Sequence, residues 1–280
     1  MKINNQTLLF ISAALKPGNF GSSIYNRLFE VYGINAVYLP KMIQDAASLV
    51  AAVRALDIKG CSVTMPYKSQ VIPYLDELDD QAEQAMSVNT IVNKSGKLMG
   101  RNTDYYGAWM VLKALQPSSV LIYGAGSVVN SLILALQDLR CPEISVYARR
   151  IEIAREIAAR HRIVAIDREE VSQRHFQILI NATPTSDLKD SEVFSLLDKA
   201  DSLFDLVVSA HETKLCFTAR KLGMLVTEGW EMSKWQLQQQ FYYYTGVLPD
   251  IQRIDELIDY GYKTEGGLSQ SLITRNSSYS

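Results

Sequence analysis

Short apolar runs alternate with amphipathic stretches along most of the 280-residue chain, and this alternation limits the folds open to it. Leu8–Ala13 and Ala36–Leu39 have the composition of strands, whereas Ser22–Val31 and Asp45–Leu56 have helical periodicity. Such an order is typical of β-α-β units, in which helices cover a largely parallel sheet. The first hundred residues are therefore predicted to form an α/β unit with a largely parallel sheet.

The next apolar segments complete this unit. Cys61–Thr64 is predicted to be a strand that ends before Lys68, because Pro66 cannot donate to a strand ladder and restricts the residue before it. Thr90–Asn93 and Lys97–Met99 flank a glycine-containing turn and are predicted to form a hairpin. Polar side chains near these strand ends are candidates for chemistry.

A second pattern begins at Ser118. The apolar strand Val120–Tyr123 is followed by the turn Gly124-Ala125-Gly126 and by an apolar-periodic helix, Val128–Leu139. In this arrangement a phosphate can approach the glycine backbone and the free N–H groups at the helix start. The third glycine of the usual pattern falls on Val129, so a purely structural glycine turn stays open as the alternative.

The rest of the chain continues the α/β alternation. Further strands are predicted at Glu143–Tyr147, Ile163–Ile166, Ile178–Asn181, Leu203–Val208 and Met224–Val226. Further helices are predicted at Ile151–His161, Cys216–Leu222, Met232–Tyr244 and Ile251–Tyr260. The stretch from Lys263 is predicted to be a weakly ordered tail.

The residues after the second strand of this pattern indicate the cofactor. An acidic residue there accepts hydrogen bonds from an adenosine ribose, whereas arginines pair with a 2′-phosphate. Arg149 and Arg150 occupy these positions, which favours NADP over NAD. The alternative is that both arginines only solvate a helix start, where the macrodipole disfavours cations.

Composition excludes several classes of protein. With 28 basic and 30 acidic residues the net charge is −2, which gives no electrostatic footprint for nucleic acid. No apolar run is long enough to span a bilayer, and the polar Asn4–Thr7 argues against a signal peptide. Cys61, Cys141 and Cys216 lie far apart, which predicts no disulfide framework, no metal site and a reducing, cytoplasmic compartment.

Several ordered motifs are spread along nearly the whole chain. They are V-T-M-P-Y-K at 63–68, S-V-N-T at 87–90, N-T-D-Y-Y-G at 102–107, G-A-G at 124–126, N-A-T-P-T at 181–185 and G-x-x-M-x-x-x-Q at 229–236. In this order they resemble the shikimate dehydrogenase family. The resemblance implies hydride transfer between NADP(H) and a ring hydroxyl of shikimate or a close analogue.

The resemblance also implies roles for individual residues. Lys68 would accept the hydroxyl proton or, paired with Asp104, would instead polarise and orient the hydroxyl. Asn89, Asp104 and Gln236 would bind ring hydroxyls. The alternative role of these polar residues is to brace loops. Cofactor contacts are implied for Gly124, Ala125, Gly126, Ser127, Arg149, Arg150, Thr183, Gly229 and Met232.

The chain departs from the family where substrate binds. The two serines of the family's S-x-S-P-x-x-H-N segment are replaced by Asn19 and Gly21, and Tyr25 replaces its histidine. Ser22 and Ser23 are candidate replacements for the lost hydroxyls. Val208 stands where the family has a substrate-contacting tyrosine, and Ser127 and Ala148 also differ from the family. These replacements leave open a substrate other than shikimate.

The resemblance implies an α/β substrate domain and a doubly wound, Rossmann-type cofactor domain with a cleft between them. Residues 1–104, completed by 237–280, would form the first, and 105–236 the second. The expected partner is a cyclic hydroxy acid, and the expected assembly is a monomer or homodimer. Two alternatives stay open: a quinate-type dehydrogenase using NAD or NADP, and a non-catalytic sensor of NADP or a metabolite.

Overall fold

The computed structural model describes residues 3–185, 191–209 and 211–258. These residues form two compact units, one of residues up to Thr103 together with those from Leu237, the other from Asp104 to Gln236. The predicted C-terminal tail, and the last two residues of the predicted helix Ile251–Tyr260, lie outside the described residues. No helix in the described ranges is both long and apolar enough to cross a lipid bilayer.

The first unit is built on a six-stranded sheet. Its strands are β1 (Leu8–Ala14), β2 (Ala36–Met42), β3 (Gly60–Val63), β4 (Glu77–Leu78), β5 (Thr90–Lys94) and β6 (Lys97–Arg101). Its helices are α1 (Phe20–Val31), α2 (Ala46–Ala55), α3 (Asp80–Ala85), and a helix at 251–258. The strand order is β2-β1-β3-β5-β6-β4.

This sheet is mixed, so the expectation of a largely parallel sheet holds only for part of it. β1 pairs in parallel with β2 and β3, whereas β5 runs antiparallel to both β3 and β6. The predicted hairpin explains the antiparallel pairing of β5 with β6, because Ser95 and Gly96 adopt positive φ values of 54° and 89° and reverse the chain. A second change of direction lies between the neighbouring strands β3 and β5.

Side chains of β1 alternate between the two faces of this sheet. Ile11 packs with Leu49 and Val50 of α2, while Phe10 packs with Phe29 of α1 on the opposite face. Burial of such side chains contributes about 1.5–3 kcal/mol each. The alternation predicted at Leu8–Ala13 therefore fixes which face each helix covers.

The second unit contains a six-stranded parallel sheet. Its strands are β7 (Ser119–Tyr123), β8 (Glu143–Tyr147), β9 (Val164–Ala165), β10 (Phe176–Asn181), β11 (Ala200–Asp205) and β12 (Leu225–Glu228). Its helices are α4 (Thr103–Leu115), α5 (Ser127–Asp138), α6 (Ile151–His161), α7 (Arg168–Ser172), α8 (Ser191–Phe194), α9 (Lys214–Lys221) and α10 (Gly229–Thr245). The unit boundaries fall within α4 and α10.

The order of these strands, β9-β8-β7-β10-β11-β12, is the order 3-2-1-4-5-6 of the doubly wound dinucleotide-binding fold. Helices cover both faces. Ile122 packs with Leu132 of α5 on one face, whereas Leu121 packs with Leu215 of α9 on the other. A strand buried on both faces must be apolar throughout, which is why β7 was recognisable in the sequence. The predicted Rossmann-type architecture is confirmed.

Several predicted boundaries are wrong, and three of them lie beside candidate site residues. Helix α1 begins at Phe20 rather than Ser22, because the Asn19 carbonyl already accepts the Ser23 N–H at 3.1 Å. Helix α10 begins at Gly229 rather than Met232. Strand β11 ends at Asp205 rather than Val208, because beyond it the Val207 N–H turns to the Asp205 carboxylate at 3.3 Å.

Candidate active site

Lys68 lies in the first unit, in the turn that follows β3, and its side chain is half-buried. Its carbonyl accepts the Val88 N–H at 2.8 Å, while the Asn89 carbonyl accepts the Val63 N–H at the same distance. Both bonds join the end of β3 to the start of β5. They place the Lys68 backbone beside that of Val88, the residue before Asn89.

The Asn89 side chain is 1% exposed and has a fixed orientation. Its Oδ1 accepts the Thr103 N–H at 2.8 Å and the Thr90 hydroxyl at 2.9 Å, and its Nδ2 donates to Thr103 Oγ1 at 2.9 Å. These bonds brace the start of α4, whose first N–H groups lack intrahelical partners. The bracing role is therefore present, and substrate binding by Asn89 stays a prediction.

The other two predicted ligands of ring hydroxyls belong to the second unit. Asp104 is buried in the first turn of α4, where a carboxylate is favoured by the helix dipole. Gln236 lies on α10, one turn beyond Met232. Because Lys68 belongs to the first unit, its pairing with Asp104 stays a prediction from the resemblance.

The first turn of α1 contains the residues that replace the family's serines. Asn19 is the N-cap and makes no side-chain capping bond. The hydroxyl of Ser22 donates to the Asn19 carbonyl at 2.7 Å, and that of Ser23 donates to the Phe20 carbonyl at 2.8 Å. Both candidate replacement hydroxyls therefore already donate a hydrogen bond to a backbone carbonyl at the start of their own helix.

A buried hydrogen-bond network near this turn was not predicted from the sequence. Tyr38 donates to Ser62 at 2.6 Å, Ser62 donates to Gln240 Oε1 at 2.6 Å, and Tyr25 donates to the same oxygen. A tyrosine hydroxyl is a donor at neutral pH, and burial raises the pKa of the Tyr25 hydroxyl further above its usual range. Tyr25 and Gln240 are 215 positions apart, and no local motif signals such a contact.

The two glycines of the turn after β7 differ in the reason for having no side chain. Gly124 has φ of 135°, and a Cβ there would lie 2.9 Å from the Ala182 carbonyl oxygen, so its glycine is structural. Gly126 has φ of −75°, and its nearest neighbour would lie 4.0 Å from a Cβ. Neither conformation nor packing requires glycine at 126, and a Cβ would fill the space beside the α5 start. The turn fits a dinucleotide pyrophosphate there.

The neighbouring residues of the glycine motif lie at the start of helix α5. Ala125 lies between the two glycines, and Ser127 is the first residue of α5. Val129, at the third-glycine position, is fully buried and packs in the core of the second unit. The backbone N–H groups of the first turn of α5 have no intrahelical acceptors, so they can bind an anion.

Arg149 and Arg150 directly follow β8, and both side chains are exposed. Arg150 is the N-cap of α6. Within the described residues neither guanidinium forms an ion pair with a carboxylate, so both can bind an added phosphate. The chemistry of this donor set fits the 2′-phosphate of NADP.

The last residues of five parallel strands form one row at the carboxyl edge of the second sheet. The row, given by strand register, is Tyr147, Tyr123, Asn181, Asp205 and Glu228. Ligands of open α/β sheets bind outside this edge, where the strand order reverses. For this sheet the reversal lies between β7 and β10.

Three predicted cofactor residues follow strands of this row. The Thr183 hydroxyl, two residues after β10, donates to Asn181 Oδ1 at 2.7 Å. Gly229 follows β12, and a Cβ there would lie 2.5 Å from the Leu206 carbonyl oxygen, so glycine is needed for close approach. Met232 is 5% exposed and packs in the core of the second unit.

The chain is an α/β protein of two units. The strand order, the glycine turn and the row of residues at the carboxyl edge of the sheet show that its second unit is of the dinucleotide-binding type. A shikimate dehydrogenase-like protein of Haemophilus influenzae is 31% identical over 265 residues, which cover 91% of this chain and 96% of that protein. The model of the shikimate dehydrogenase substrate binding domain matches residues 20–91. The chain belongs to the shikimate dehydrogenase family.

Other relatives show how broad this likeness is. A shikimate dehydrogenase (NADP(+)) of Bacillus cereus is 30% identical over 253 residues, covering 84% of this chain and 91% of its own. The structure of a quinate dehydrogenase from Corynebacterium glutamicum in complex with NAD is 26% identical, with a TM-score of 0.79 over 91% of this chain and 99% of its own. The family likeness thus includes enzymes named for different substrates and cofactors.

Proposed function

We propose that the protein is an NADP-dependent oxidoreductase that transfers hydride between NADP(H) and a ring hydroxyl of shikimate or a close analogue. The observation that carries the proposal is the presence of Lys68, half-buried and tied by its backbone to the residue before Asn89, in a chain of this family. A departing hydride leaves an alcohol whose proton needs an acceptor, and a positioned side chain supplies it. Lys68 is the residue assigned to that proton.

The other polar residues would bind the ring. Asp104 and Gln236 would accept from and donate to its hydroxyls, because carboxylate and amide groups together match the donors and acceptors of a polyol. Asn89 already has its orientation fixed by Thr90 and Thr103. A fixed amide binds its ligand with little loss of rotamer entropy.

The second unit would hold NADP, which supplies the hydride acceptor when bound. Gly126 leaves room for the pyrophosphate at the start of α5, while Arg149 and Arg150 would bind the 2′-phosphate. Thr183 would contact the cofactor from the end of β10. The relative from Bacillus cereus, which is named for NADP(+), supports this choice.

The cofactor assignment predicts that the unmodified protein binds NADP more tightly than NAD. Replacing Arg149 or Arg150 with alanine should weaken NADP binding by about tenfold and leave NAD binding unchanged, because only NADP carries the 2′-phosphate. Calorimetry measures both affinities. Arg160→Ala, in the last turn of α6, is the matched control and should change neither affinity. Equal affinities for the two cofactors in the unmodified protein would contradict the assignment.

The altered first turn of α1 predicts weak use of shikimate. Changing Asn19 and Gly21 to serine should raise kcat/KM for shikimate by about tenfold or more, since even one hydrogen bond to a charged group contributes about 1.5–3 kcal/mol. The fold tolerates both changes, because a Cβ at Gly21 would lie an ordinary 3.5 Å from Tyr38 and serine is a good N-cap. Gly18→Ser, where a Cβ would meet nothing within 4 Å, is the control. An unchanged or lower kcat/KM in the folded double variant would show that another group binds the carboxylate.

A second candidate is oxidation of quinate, which the structural likeness to a quinate dehydrogenase in complex with NAD favours. The exposed arginines after β8 favour NADP over NAD in either case. A third candidate, sensing of NADP or a metabolite without turnover, is favoured by the replaced serines and by Val208, which is exposed beyond β11.

One assay separates these candidates. NADPH formation is followed at saturating NADP with shikimate, quinate and their amino analogues, and the proposal expects turnover with at least one of them. NADP binding without turnover on any of them would favour the sensor. The proposal includes a cytoplasmic location, which is supported by the three free cysteines, Cys61, Cys141 and Cys216.

A further inference from the structure

Asp205 is a fully buried carboxylate at the end of β11, and the proposed chemistry does not use it. Its strand partner is Asn181, the last residue of β10, which is equally buried. Asn181 Nδ2 donates to Asp205 Oδ1 at 2.9 Å, and the Thr213 hydroxyl donates to Asp205 Oδ2 at 2.8 Å. The pair therefore joins the loops that follow two neighbouring strands at the carboxyl edge of the sheet.

Packing alone does not account for a charge at this place. Burying a carboxylate is costly unless donors compensate it, and burial raises the pKa of Asp205 above its usual range. The compensating groups are the two above together with the Val207 N–H at 3.3 Å and the Cys216 thiol at 3.5 Å. No lysine, arginine or histidine among the described residues forms an ion pair with it. An apolar residue at this position would avoid the cost of burying a charge. We therefore infer that the carboxylate orients a neighbouring group.

The directing role follows from the amide of Asn181. A carboxylate only accepts hydrogen bonds, so the amide must present Nδ2 to Asp205 and Oδ1 to the opposite side. That Oδ1 accepts both the Thr183 N–H at 3.2 Å and the Thr183 hydroxyl at 2.7 Å. The same Nδ2 also donates to the Thr185 carbonyl at 3.1 Å. The amide orientation thus sets the shape of the turn at 181–185.

The position of this turn in the sheet indicates which half of a dinucleotide it meets. In this strand order a dinucleotide lies across the switch point, with one mononucleotide on each half of the sheet. The glycine turn and Arg149 follow β7 and β8, on the half proposed to bind adenosine. The turn at 181–185 follows β10, on the half left for nicotinamide.

We propose that Asp205 is a positioning residue for the nicotinamide half of the dinucleotide, because it orients the Asn181 amide that holds Thr183. The inference rests on the proposed NADP site and adds a residue that acts through Asn181 rather than by touching the ligand. Without the carboxylate, the amide orientation would depend only on the Thr183 N–H and the Thr185 carbonyl, which belong to the turn itself. The turn, and Thr183 with it, would then lose its side-chain link to β11.

The test compares two ligands by calorimetry. NADP engages both halves of the sheet, whereas adenosine 2′,5′-bisphosphate engages only the adenosine half. Asp205→Asn keeps the shape of the side chain but replaces a group that only accepts with an amide that can present either its oxygen or its NH2 to Asn181. The variant should weaken NADP binding by about tenfold or more. The same variant should bind adenosine 2′,5′-bisphosphate within about twofold of the unmodified protein. Asp201→Asn, the same change at an exposed position of β11, should alter neither affinity.

Each outcome has a defined meaning. Unchanged NADP affinity in Asp205→Asn, or an equal loss for both ligands, would overturn the positioning role. Should Asp205→Asn fail to fold, Asn181→Ala removes the oriented amide itself and must show the same selective loss, and its failure to do so would also overturn the role. If the unmodified protein binds neither ligand, the proposed NADP site is wrong, which is a different result from a failed positioning role.

Discussion

Replacing Lys68 with methionine is expected to lower kcat by about 10²- to 10⁴-fold, the usual contribution of a positioned acid or base. KM for the substrate should change much less, because a proton that moves in the transition state contributes little to ground-state binding. Methionine keeps most of the aliphatic stem, so packing of the half-buried side chain is retained. Steady-state kinetics with the best substrate measures both constants.

Two controls make the Lys68 result specific. The first control is Lys59→Met, which should leave kcat unchanged; Lys59 is a half-buried lysine of the same unit that pairs with Asp57. NADP affinity of Lys68→Met should equal that of the unmodified protein, because Lys68 belongs to the unit that does not contain the glycine turn. Full turnover in Lys68→Met would remove this residue from the chemistry.

Replacing the two glycines of the turn after β7 with alanine should affect different properties, stability for Gly124 and NADP binding for Gly126. Gly124→Ala is expected to lower the free energy of unfolding by about 3 kcal/mol or more, since the new Cβ meets the Ala182 carbonyl and φ is positive. Gly126→Ala should cost less than about 1 kcal/mol, the difference between glycine and alanine at an N-cap. Thermal or urea unfolding measures both.

Gly126→Ala should nevertheless weaken NADP by about 10- to 100-fold, because its methyl group would fill the space proposed for the pyrophosphate. A folded, stable variant that has lost its cofactor would assign the two glycines separate functions. The opposite result, unchanged NADP affinity, would mean that the pyrophosphate does not approach this backbone.

Hydrophobic periodicity predicted elements well wherever one face is buried and the other solvated. Helix α6 begins and ends at Ile151 and His161 as predicted, because Ala154, Ile157 and Ala158 line one buried stripe. Strand β7 was equally clear because it is apolar on both faces. Such local patterns follow from the backbone period itself.

Helix α4 was missed because its sequence lacks that contrast. It contains Gly107, a weak helix former, and Tyr105 and Trp109 pack against the core beside the buried Ala108. A Cβ at Gly107 would lie 2.6 Å from the Met232 carbonyl oxygen, so close packing against α10 explains the glycine. This reason lies more than a hundred residues away in the chain.

Strand β11 shows the same limit at its end. The apolar run continues through Leu206 and Val207, so composition extends the strand past Asp205. The strand ends where pairing with β10 ends, at Asn181, and that register depends on strand order. The Asp205 and Asn181 pair was therefore visible only once the two strands were known to be neighbours.

The candidate site residues show the same difference between local motifs and contacts that depend on distant segments. The family motifs pointed to Lys68, Asn89 and the glycine turn, and local geometry around each is now defined. The network that joins Tyr25, Ser62 and Gln240 depends on three segments far apart in the chain. Single-sequence motifs do not report such contacts.

The central claim is hydride transfer from a ring carbon to NADP, and isotope transfer tests it most directly. Shikimate, quinate or an amino analogue, deuterated at the hydroxyl-bearing carbon that is oxidised, is incubated with the protein and NADP, and the NADPH formed is examined by mass spectrometry. One deuterium is expected in each NADPH formed with at least one of these substrates, and no such product is expected with Lys68→Met on the same time scale. NADPH without deuterium, or no NADPH from any of these substrates although NADP binds, would contradict hydride transfer.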